Sequence, residues 1–219
     1  MTPESVAQTI EYTQLKPFAT EADIEKLCWG AMHWKFYGVC LYSIWLPLAR
    51  SIVSSSSLKL ITVAGFPTGA SSTQLKCLEV AEAIEKGADE IDFVINIGWL
   101  KDRRLKPIED EFKYLVELAS PCPLKVIIET CYLSEEEKKL ACQLAAATGI
   151  SFVKTSTGFG AAGATVSDVE LMKQIVPQVK ASGGIKDAST AISLIKGGAT
   201  RLGTSAGPSI MENLPCCID

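Results

Sequence analysis

The sequence predicts a single-domain α/β fold, a (β/α)8 TIM barrel in which parallel strands alternate with helices. Eight short apolar runs recur along the chain, and segments with helical periodicity lie between them. The chain has 219 residues, 47% of them hydrophobic, which is enough for one large core. Eight units favour the closed barrel, but an open doubly wound sheet stays as the alternative because the shortest runs are weak strand signals.

The predicted strands are four to seven residues long and mostly apolar. They are Thr9–Leu15, Phe36–Tyr42, Leu58–Ala64, Glu90–Ile95, Leu124–Glu129, Ser151–Thr155, Gln178–Ala181 and Thr200–Gly203. No internal repeat, low-complexity tract or linker separates them. We therefore expect one domain over residues 1–219, with residues 211–219 as a C-terminal tail.

Helix signals occupy the segments between the strands. Residues 71–86 predict a helix that Gly87 closes. Its apolar residues at helical spacing are Leu75, Leu78, Ala81 and Ile84. Ser134 followed by Glu137 is typical of a helix N-terminus with a capping box, and Gly149 is expected to end that helix.

Charge and composition narrow the class of partner. The formal net charge is −4 and no long run of like charges occurs, so neither a nucleic acid nor a membrane surface is an expected partner. A small soluble substrate fits better. The chain opens without a signal-peptide pattern and contains no apolar stretch of roughly 18 residues, so we expect a cytoplasmic protein.

Cysteine and histidine usage argues against a metal site. The chain has eight cysteines but no C-x-x-C pair, and we expect reduced, mostly buried thiols. Its one histidine, His33, lies in a predicted helix without cysteines at ligand spacing, and is interpreted as a surface residue. The sequence therefore predicts neither zinc nor another metal.

Ionisable residues recur on inward strand positions. Because side chains alternate along a strand, Asp92, Val94 and Asn96 share one face, and the opposite face of that strand is apolar. The same alternation directs five ionisable residues into one lumen: Asp92, Lys125, Glu129, Lys154 and Lys180. A barrel lumen is normally filled by branched apolar side chains. A structural ion-pair network is the alternative, but buried pairs stabilise weakly, so we favour chemistry.

Two of these lysines, Lys154 and Lys180, end consecutive strands. An ammonium group in an apolar strand is costly, and a second cation nearby makes each harder to keep protonated. A neutral amine is a nucleophile. The pair therefore predicts covalent amine chemistry, although spacing does not say which lysine attacks.

Glycine-containing turns follow the last strands. They are Thr155–Gly158, Ser182–Gly184 and Gly203–Gly207. Loops after strands seven and eight of such barrels commonly bind phosphate through backbone N–H groups, so these turns predict a phosphate site. A Gly-x-x-x-x-Gly-Lys-Ser/Thr motif is absent from the sequence and no dinucleotide fingerprint follows the first strand, so nucleotide chemistry is unsupported.

With these segments identified, the chain resembles the deoxyribose-phosphate aldolase family, the class I, Schiff-base-forming aldolases, over nearly its whole length. The segments that carry the resemblance occur in the family's order and spacing. They are EYTQLKP (11–17), GFPTG (65–69), GADEID (87–92), LKVIIET (124–130), FVKTSTGF (152–159), KASGGI (180–185) and GTS (203–205).

The resemblance implies a metal-independent aldolase without cofactor that reversibly splits 2-deoxy-D-ribose 5-phosphate into D-glyceraldehyde 3-phosphate and acetaldehyde. It implies that Lys154 forms the Schiff base, that Lys180 depresses its pKa and joins the proton relay, and that Asp92 acts with a bound water as general acid and base. Lys125 would be a supporting charge. Five residues match the phosphate-binding loops: Gly158, Gly183, Gly184, Gly203 and Ser205. A homodimer is a further possibility that the resemblance suggests.

Several positions depart from the family pattern. Tyr12 replaces a frequent histidine and Glu11 a usual aspartate, which leaves the role of the first strand open. Ala206 replaces a second serine and removes one hydroxyl donor to phosphate. Residues 41–43 depart from the asparagine-proline form of shorter members, and Cys40 before them is interpreted as a buried, inert thiol.

Two further functions stay open from the sequence. One is a Schiff-base aldolase for another phosphorylated sugar. The other is a catalytically idle barrel that only binds a sugar phosphate, and the presence of Asp92, Lys154 and Lys180 together argues against it.

Overall fold

The structure, a computed structural model, describes residues 1–215 and contains a closed barrel of eight parallel strands in chain order. The strands are β1 Ile10–Gln14, β2 Gly38–Leu41, β3 Lys59–Ala64, β4 Glu90–Val94, β5 Leu124–Ile127, β6 Phe152–Lys154, β7 Val179–Ser182 and β8 Arg201–Thr204. β8 closes on β1, with Ile10 opposite Leu202 and Tyr12 opposite Thr204. The predicted barrel is confirmed and the open sheet is wrong.

One short helix precedes β1, and the other helices follow the strands and cover the outside of the barrel. They are α1 Pro3–Ala7, α2 Glu21–His33, α3 Leu46–Val53, α4 Thr73–Glu85, α5 Ile97–Lys101, α6 Leu105–Ala119, α7 Glu135–Thr148, α8 Val166–Lys173, α9 Ala188–Lys196 and α10 Gly207–Glu212. His33 is the last residue of α2 and is exposed, as predicted. The predicted tail over 211–219 begins inside α10, and residues 216–219, including Cys216 and Cys217, lie outside the described part.

The predicted capping box of α7 is confirmed. The Ser134 hydroxyl accepts a hydrogen bond from the Glu137 N–H at 3.3 Å, and the Glu137 carboxylate accepts one from the Ser134 N–H at 2.8 Å. Both bonds use amide groups that a helix leaves unpaired at its N-terminus. Gly149 ends the helix in the left-handed conformation, with φ of +84°.

Helix α4 is also present, but its apolar stripe does not face the core. Leu75 and Leu78 are 54% and 67% exposed. The buried face carries Lys76, whose Nζ pairs with Glu111 Oε1 of α6 at 2.7 Å, with both side chains fully buried. An ion pair thus occupies the helix–helix contact that periodicity alone would assign to leucines.

The two faces of the sheet differ in character. Outward-facing residues such as Phe93 and Val126 pack under the helices in the main core. Inside the lumen, a smaller apolar group lies on the β1–β3 side: Leu15, Cys40, Ile61 and Val63. Ionisable side chains occupy much of the remaining lumen, so the barrel interior has an apolar and a charged part. Across residues 1–215, every helix is too short or too polar to cross a membrane.

Candidate active site

Asp92 lies at the centre of the charged part of the lumen and is fully buried on β4. Its Oδ1 accepts a hydrogen bond from Lys125 Nζ at 2.9 Å. Its Oδ2 accepts bonds from Lys154 Nζ at 2.9 Å and from Lys180 Nζ at 2.7 Å. The register places Lys125 opposite Asp92 and Lys180 opposite Lys154 on neighbouring strands. The fold therefore brings the predicted catalytic residues and Lys125 into direct contact.

Two more carboxylates balance the lysine charges. Glu11 on β1 accepts a hydrogen bond from Lys180 and lies 3.6 Å from Lys125 Nζ. Glu90 on β4 lies 2.5 Å from Lys125 Nζ and accepts a hydrogen bond from the Tyr37 hydroxyl. The cluster thus contains equal numbers of carboxylates (Glu11, Glu90, Asp92) and lysines (Lys125, Lys154, Lys180). Pairing of this kind is what makes buried charges tolerable.

The cluster shifts the pKa values of Asp92 and Lys180 in opposite directions. Burial raises the pKa of Asp92, but the ammonium groups of Lys125, Lys154 and Lys180 outweigh it and hold that pKa well below its ordinary value. Burial lowers the pKa of Lys180, but Asp92 and Glu11 outweigh it and raise the pKa above its ordinary value. Asp92 is consequently an anion and Lys180 a cation. The neighbouring cation Lys125 does lower the pKa of Lys180, as expected, but the two carboxylates outweigh it, so Lys180 is not a neutral amine.

A cavity of about 310 Å³ opens above the cluster, at the carboxyl ends of the strands. Lys154 lines this cavity, whereas Lys125 and Lys180 are 0% exposed. The other lining residues are Thr13, Gln14, Leu15, Lys16, Thr157, Gly158, Phe159, Ser182, Gly183, Gly184, Ile185, Lys186, Gly203, Thr204 and Ser205. Of the three cluster lysines, Lys154 is therefore the one that a bound molecule can reach.

The cavity wall opposite the lumen is formed by glycine turns. Gly183 and Gly184 have φ of +86° and +76°, the left-handed region that glycine adopts without strain. A Cβ on Gly183 would lie 3.0 Å from the Gly163 Cα, so two backbones are in close contact here. Gly203 has a different role, because a Cβ there would lie 3.1 Å from Lys180 Cε. Its missing side chain leaves room for Lys180 in the lumen.

One aromatic residue, Phe159, lines the cavity and packs on further aromatic rings. Phe159 lines it and packs edge-to-face on Phe66, with ring centroids 5.4 Å apart, and Phe66 packs on Tyr42 at 6.2 Å. Cys40 is fully buried, and burial raises the pKa of its thiol. It is a neutral thiol in the apolar part of the lumen, as the inert interpretation expects.

Comparison with known proteins shows which family the chain belongs to. The family model described as DeoC/LacD family aldolase matches residues 14–211. The chain belongs to this aldolase family. The aldolase is 51% identical to the deoxyribose-phosphate aldolase of Carboxydothermus hydrogenoformans, over 95% of both chains. It is 49% identical to that of Coprothermobacter proteolyticus, over 94% of this chain and 95% of the relative.

A solved structure agrees with this assignment. The aldolase superposes on the deoxyribose-phosphate aldolase of Aeropyrum pernix, described as a tetramer, with a TM-score of 0.90 and 28% identity. The match covers 96% of this chain and 91% of that one. The resemblance to the deoxyribose-phosphate aldolases is confirmed, and with it the assignment to the lyases.

The predicted site residues fall into two connected groups. Asp92, Lys125, Lys154 and Lys180 form the cluster, and the predicted phosphate residues line the cavity together with Lys154: Gly158, Gly183, Gly184, Gly203 and Ser205. Their individual roles stay predictions. Glu129 was expected in the lumen and is not in the cluster, because β5 ends at Ile127 and the backbone of Glu129 is left-handed, with φ of +53°. Asn96 caps α5 through the Trp99 N–H at 3.0 Å.

Some site residues were missed. Glu90 lies two positions before Asp92 and Glu11 lies within β1, so strand alternation was the signal that places both in the lumen. Lys16 and Lys186 also line the cavity, and each follows a strand end or a glycine turn. Isolated lysines in loops are usually solvated, and their nearness to the cavity becomes evident only in the folded chain.

Three positions that depart from the family pattern, Glu11, Tyr12 and Ala206, lie in different parts of the structure. Glu11 is part of the charge cluster. Tyr12 points outward and packs edge-to-face on Phe36, with ring centroids 5.7 Å apart, so it contributes packing. The Ala206 N–H donates to the Thr204 hydroxyl at 2.9 Å.

The cluster carboxylates are occupied by lysines rather than arranged for a metal. In the described range 1–215, no three or more His, Cys, Asp or Glu side chains group so as to hold a metal ion. The described cysteines are free thiols: Cys28, Cys40, Cys77, Cys122, Cys131 and Cys142.

Proposed function

We propose that this aldolase reversibly cleaves 2-deoxy-D-ribose 5-phosphate to D-glyceraldehyde 3-phosphate and acetaldehyde, through a Schiff base on Lys154. The observation that carries the proposal is the position of Lys154. Its Nζ shares Asp92 Oδ2 with Lys180, and its side chain lines a cavity whose other wall consists of glycine turns. An amine on one wall and backbone N–H groups on the other fit an aldehyde that carries a phosphate.

Lys180 and Asp92 carry opposite charges in the resting site of this proposal. Before substrate binds, Lys180 is an ammonium group. Asp92 stays a carboxylate and accepts hydrogen bonds from Lys154 and Lys180. Asp92 with a bound water can accept a proton from the substrate, and Lys180 can donate one. Lys125 orients Asp92 through its other oxygen, at 2.9 Å.

The chemical sequence balances without a metal or an organic cofactor. The neutral Lys154 amine adds to the aldehyde carbon C1 of the open-chain sugar, and loss of water forms an iminium ion. Asp92 with water removes the C3 hydroxyl proton, the C2–C3 bond breaks, and its electron pair moves into the iminium to form an enamine. D-Glyceraldehyde 3-phosphate leaves. The enamine is protonated at C2, and water hydrolyses the resulting imine to release acetaldehyde and free Lys154.

The phosphate is proposed to bind against the glycine turns. Gly158, Gly183 and Gly184 have positive φ and line the cavity, as does Ser205, which adds a hydroxyl group. The ammonium groups of Lys16 and Lys186 belong to the same cavity lining and supply positive charge for a phosphate. Gly203 lies at the junction between the phosphate wall and Lys180.

The test of the proposed function is a coupled assay for D-glyceraldehyde 3-phosphate from 2-deoxy-D-ribose 5-phosphate, run with and without a chelator. We expect turnover that the chelator does not change. Turnover of another phosphorylated sugar but not of this one would contradict the substrate, and loss of activity on chelation would contradict the metal-free mechanism. Release of acetaldehyde would exclude the alternative of a barrel that only binds a sugar phosphate.

Replacing Glu11 by glutamine is expected to move the alkaline limb of the pH–rate profile to lower pH by about one unit or more. Lys180 would keep Asp92 as its anionic partner while burial continues to lower its pKa. The measurement is kcat/KM across neutral to alkaline pH. Glu11→Asp keeps the charge, and Glu85→Gln changes an exposed glutamate of α4. An unchanged alkaline limb in Glu11→Gln would contradict a role for Glu11 in keeping Lys180 charged.

Organisation and location stay proposals. We propose one domain for the whole chain, a cytoplasmic location, and self-association as a homodimer. Exposed apolar side chains on α4 and α6, such as Leu78 and Tyr114, are the kind of surface that association buries. Light scattering coupled to size exclusion tests the dimer, and a monomer at micromolar concentration would contradict it.

A further inference from the structure

Glu129 is a buried carboxylate that the mechanism does not use. It is 2% exposed and lies two residues after the end of β5. Its φ and ψ of +53° and +70° are left-handed, which is uncommon for a residue other than glycine. Such a conformation persists where surrounding contacts hold it, and it is found preferentially at functional sites.

The carboxylate binds the loop that follows β6. Its Oε2 accepts a hydrogen bond from the Thr157 N–H at 3.1 Å and another from the Thr157 hydroxyl. The Thr157 hydroxyl oxygen in turn accepts a bond from the Phe159 N–H at 3.0 Å. Thr157, Gly158 and Phe159 all line the cavity, whereas Glu129 does not. Its charge therefore acts on the loop and is not presented to a bound anion.

The loop also packs closely on this side chain. A Cβ on Gly160 would lie 3.1 Å from the Glu129 Cδ and 2.9 Å from the Cys131 Sγ. The absence of a side chain at Gly160 therefore lets the loop approach the carboxylate. The close contact at Gly160 and the two hydrogen bonds to Glu129 Oε2 together hold the loop in position.

Lys154 is held by different bonds. The Lys154 carbonyl accepts from the Ile128 N–H at 3.0 Å, and the Thr155 backbone bonds to Thr130 at 2.9 Å and to Lys180 at 3.0 Å. These are bonds between neighbouring strands or their extensions. The contacts of Glu129 begin at Thr157, beyond that ladder. Loss of the Glu129 carboxylate would thus release the loop while leaving the Lys154 backbone in the sheet.

We propose that Glu129 is a positioning residue that holds residues 157–159 so that the Gly158 backbone faces the substrate phosphate. Glu129 then affects the affinity for the phosphate group, whereas the lumen cluster determines the rate of carbon–carbon bond cleavage. The inference rests on the proposed function, because the phosphate is assigned to this loop there.

The test compares substrates with and without phosphate. Glu129→Gln keeps the size and one acceptor oxygen but removes the charge, and Thr157→Val removes the hydroxyl at similar shape. For each variant we expect KM for 2-deoxy-D-ribose 5-phosphate to rise about tenfold with kcat within about twofold, and kcat/KM for 2-deoxy-D-ribose to stay within about twofold. The two changes act through one contact, so the double variant should lose little more than the worse single variant.

A binding measurement separates this proposal from the proposed function. Titration calorimetry with inorganic phosphate should give a Kd about tenfold higher for Glu129→Gln than for the unaltered protein. Glu135→Gln, an exposed residue at the start of α7, should leave the Kd unchanged. Weaker phosphate binding in Glu129→Gln would support the loop role even if the unaltered protein did not cleave the sugar phosphate.

Three results would overturn the role of Glu129. The first is an unchanged phosphate Kd in both variants while the unaltered protein cleaves 2-deoxy-D-ribose 5-phosphate. The second is an equal loss of kcat/KM on both substrates, which indicates general disruption of the site. The third is full additivity in the double variant. Thermal unfolding monitors the fold, and Thr157→Val carries the test alone if Glu129→Gln does not fold.

Discussion

Replacing Lys154 by methionine is expected to lower kcat for cleavage of 2-deoxy-D-ribose 5-phosphate by about 10⁴-fold or more. The methionine side chain has a similar length but no amine, so the iminium ion that accepts the C2–C3 electron pair cannot form. The fold should survive, because Asp92 keeps its hydrogen bonds to Lys125 at 2.9 Å and Lys180 at 2.7 Å. The coupled assay measures the loss.

The matched control for this prediction is Lys139→Met, which removes an exposed lysine of α7. It should keep full activity. Substantial residual activity in Lys154→Met, with correct folding by circular dichroism, would mean that another amine attacks the substrate. The next lysines to replace would then be Lys186, which lines the cavity, and Lys180, which is buried in the cluster.

Replacing Asp92 by asparagine should reduce both stability and activity. Three buried ammonium groups bind this one carboxylate, and removal of one member of a buried ionic cluster typically costs about 3–5 kcal/mol of unfolding free energy. Loss of its proton transfer should lower kcat/KM by about 10²–10⁴-fold. Because the pKa of Asp92 is held well below its ordinary value, its contribution is present above the ordinary carboxyl pKa and is lost only as pH falls through the lowered value.

A charge-balanced double variant separates the two effects. Asp92→Asn with Lys125→Met leaves two carboxylates, Glu11 and Glu90, and two lysines, Lys154 and Lys180. Lys180 is still paired to Glu11, and Glu90 is still bonded by the Tyr37 hydroxyl. We expect this variant to recover roughly half of the lost stability, measured by urea unfolding, without recovering activity. Activity equal to that of Lys125→Met alone would contradict a role for Asp92 in proton transfer.

Strand alternation explains why the central site residues were predictable. The inward positions of Asp92, Lys125, Lys154 and Lys180 follow from a period of two in regular strands. The same period of two places Glu11 of β1 in the lumen, where its carboxylate bonds to Lys180.

Other features depend on the folded chain. Alternation does not predict the contacts of Glu129, because this residue follows the end of β5 with a left-handed backbone and its carboxylate accepts hydrogen bonds from Thr157. The exposed stripe of α4 is a second case. Periodicity predicts the helix but not its buried face, which is set by the pair Lys76 and Glu111. The protonation of Lys180 likewise depends on Asp92 and Glu11, whose distances come from the register of strands distant in sequence.

Trapping of the covalent intermediate identifies the amine that attacks the substrate. The protein is treated with acetaldehyde and sodium borohydride, digested, and mapped by mass spectrometry, with a parallel sample lacking acetaldehyde. We expect an N-ethyl group on Lys154, because this amine lines the cavity and donates a hydrogen bond to Asp92. A stoichiometric modification of Lys180 or Lys186 in place of Lys154, or the absence of any trapped adduct in an active preparation, would contradict it.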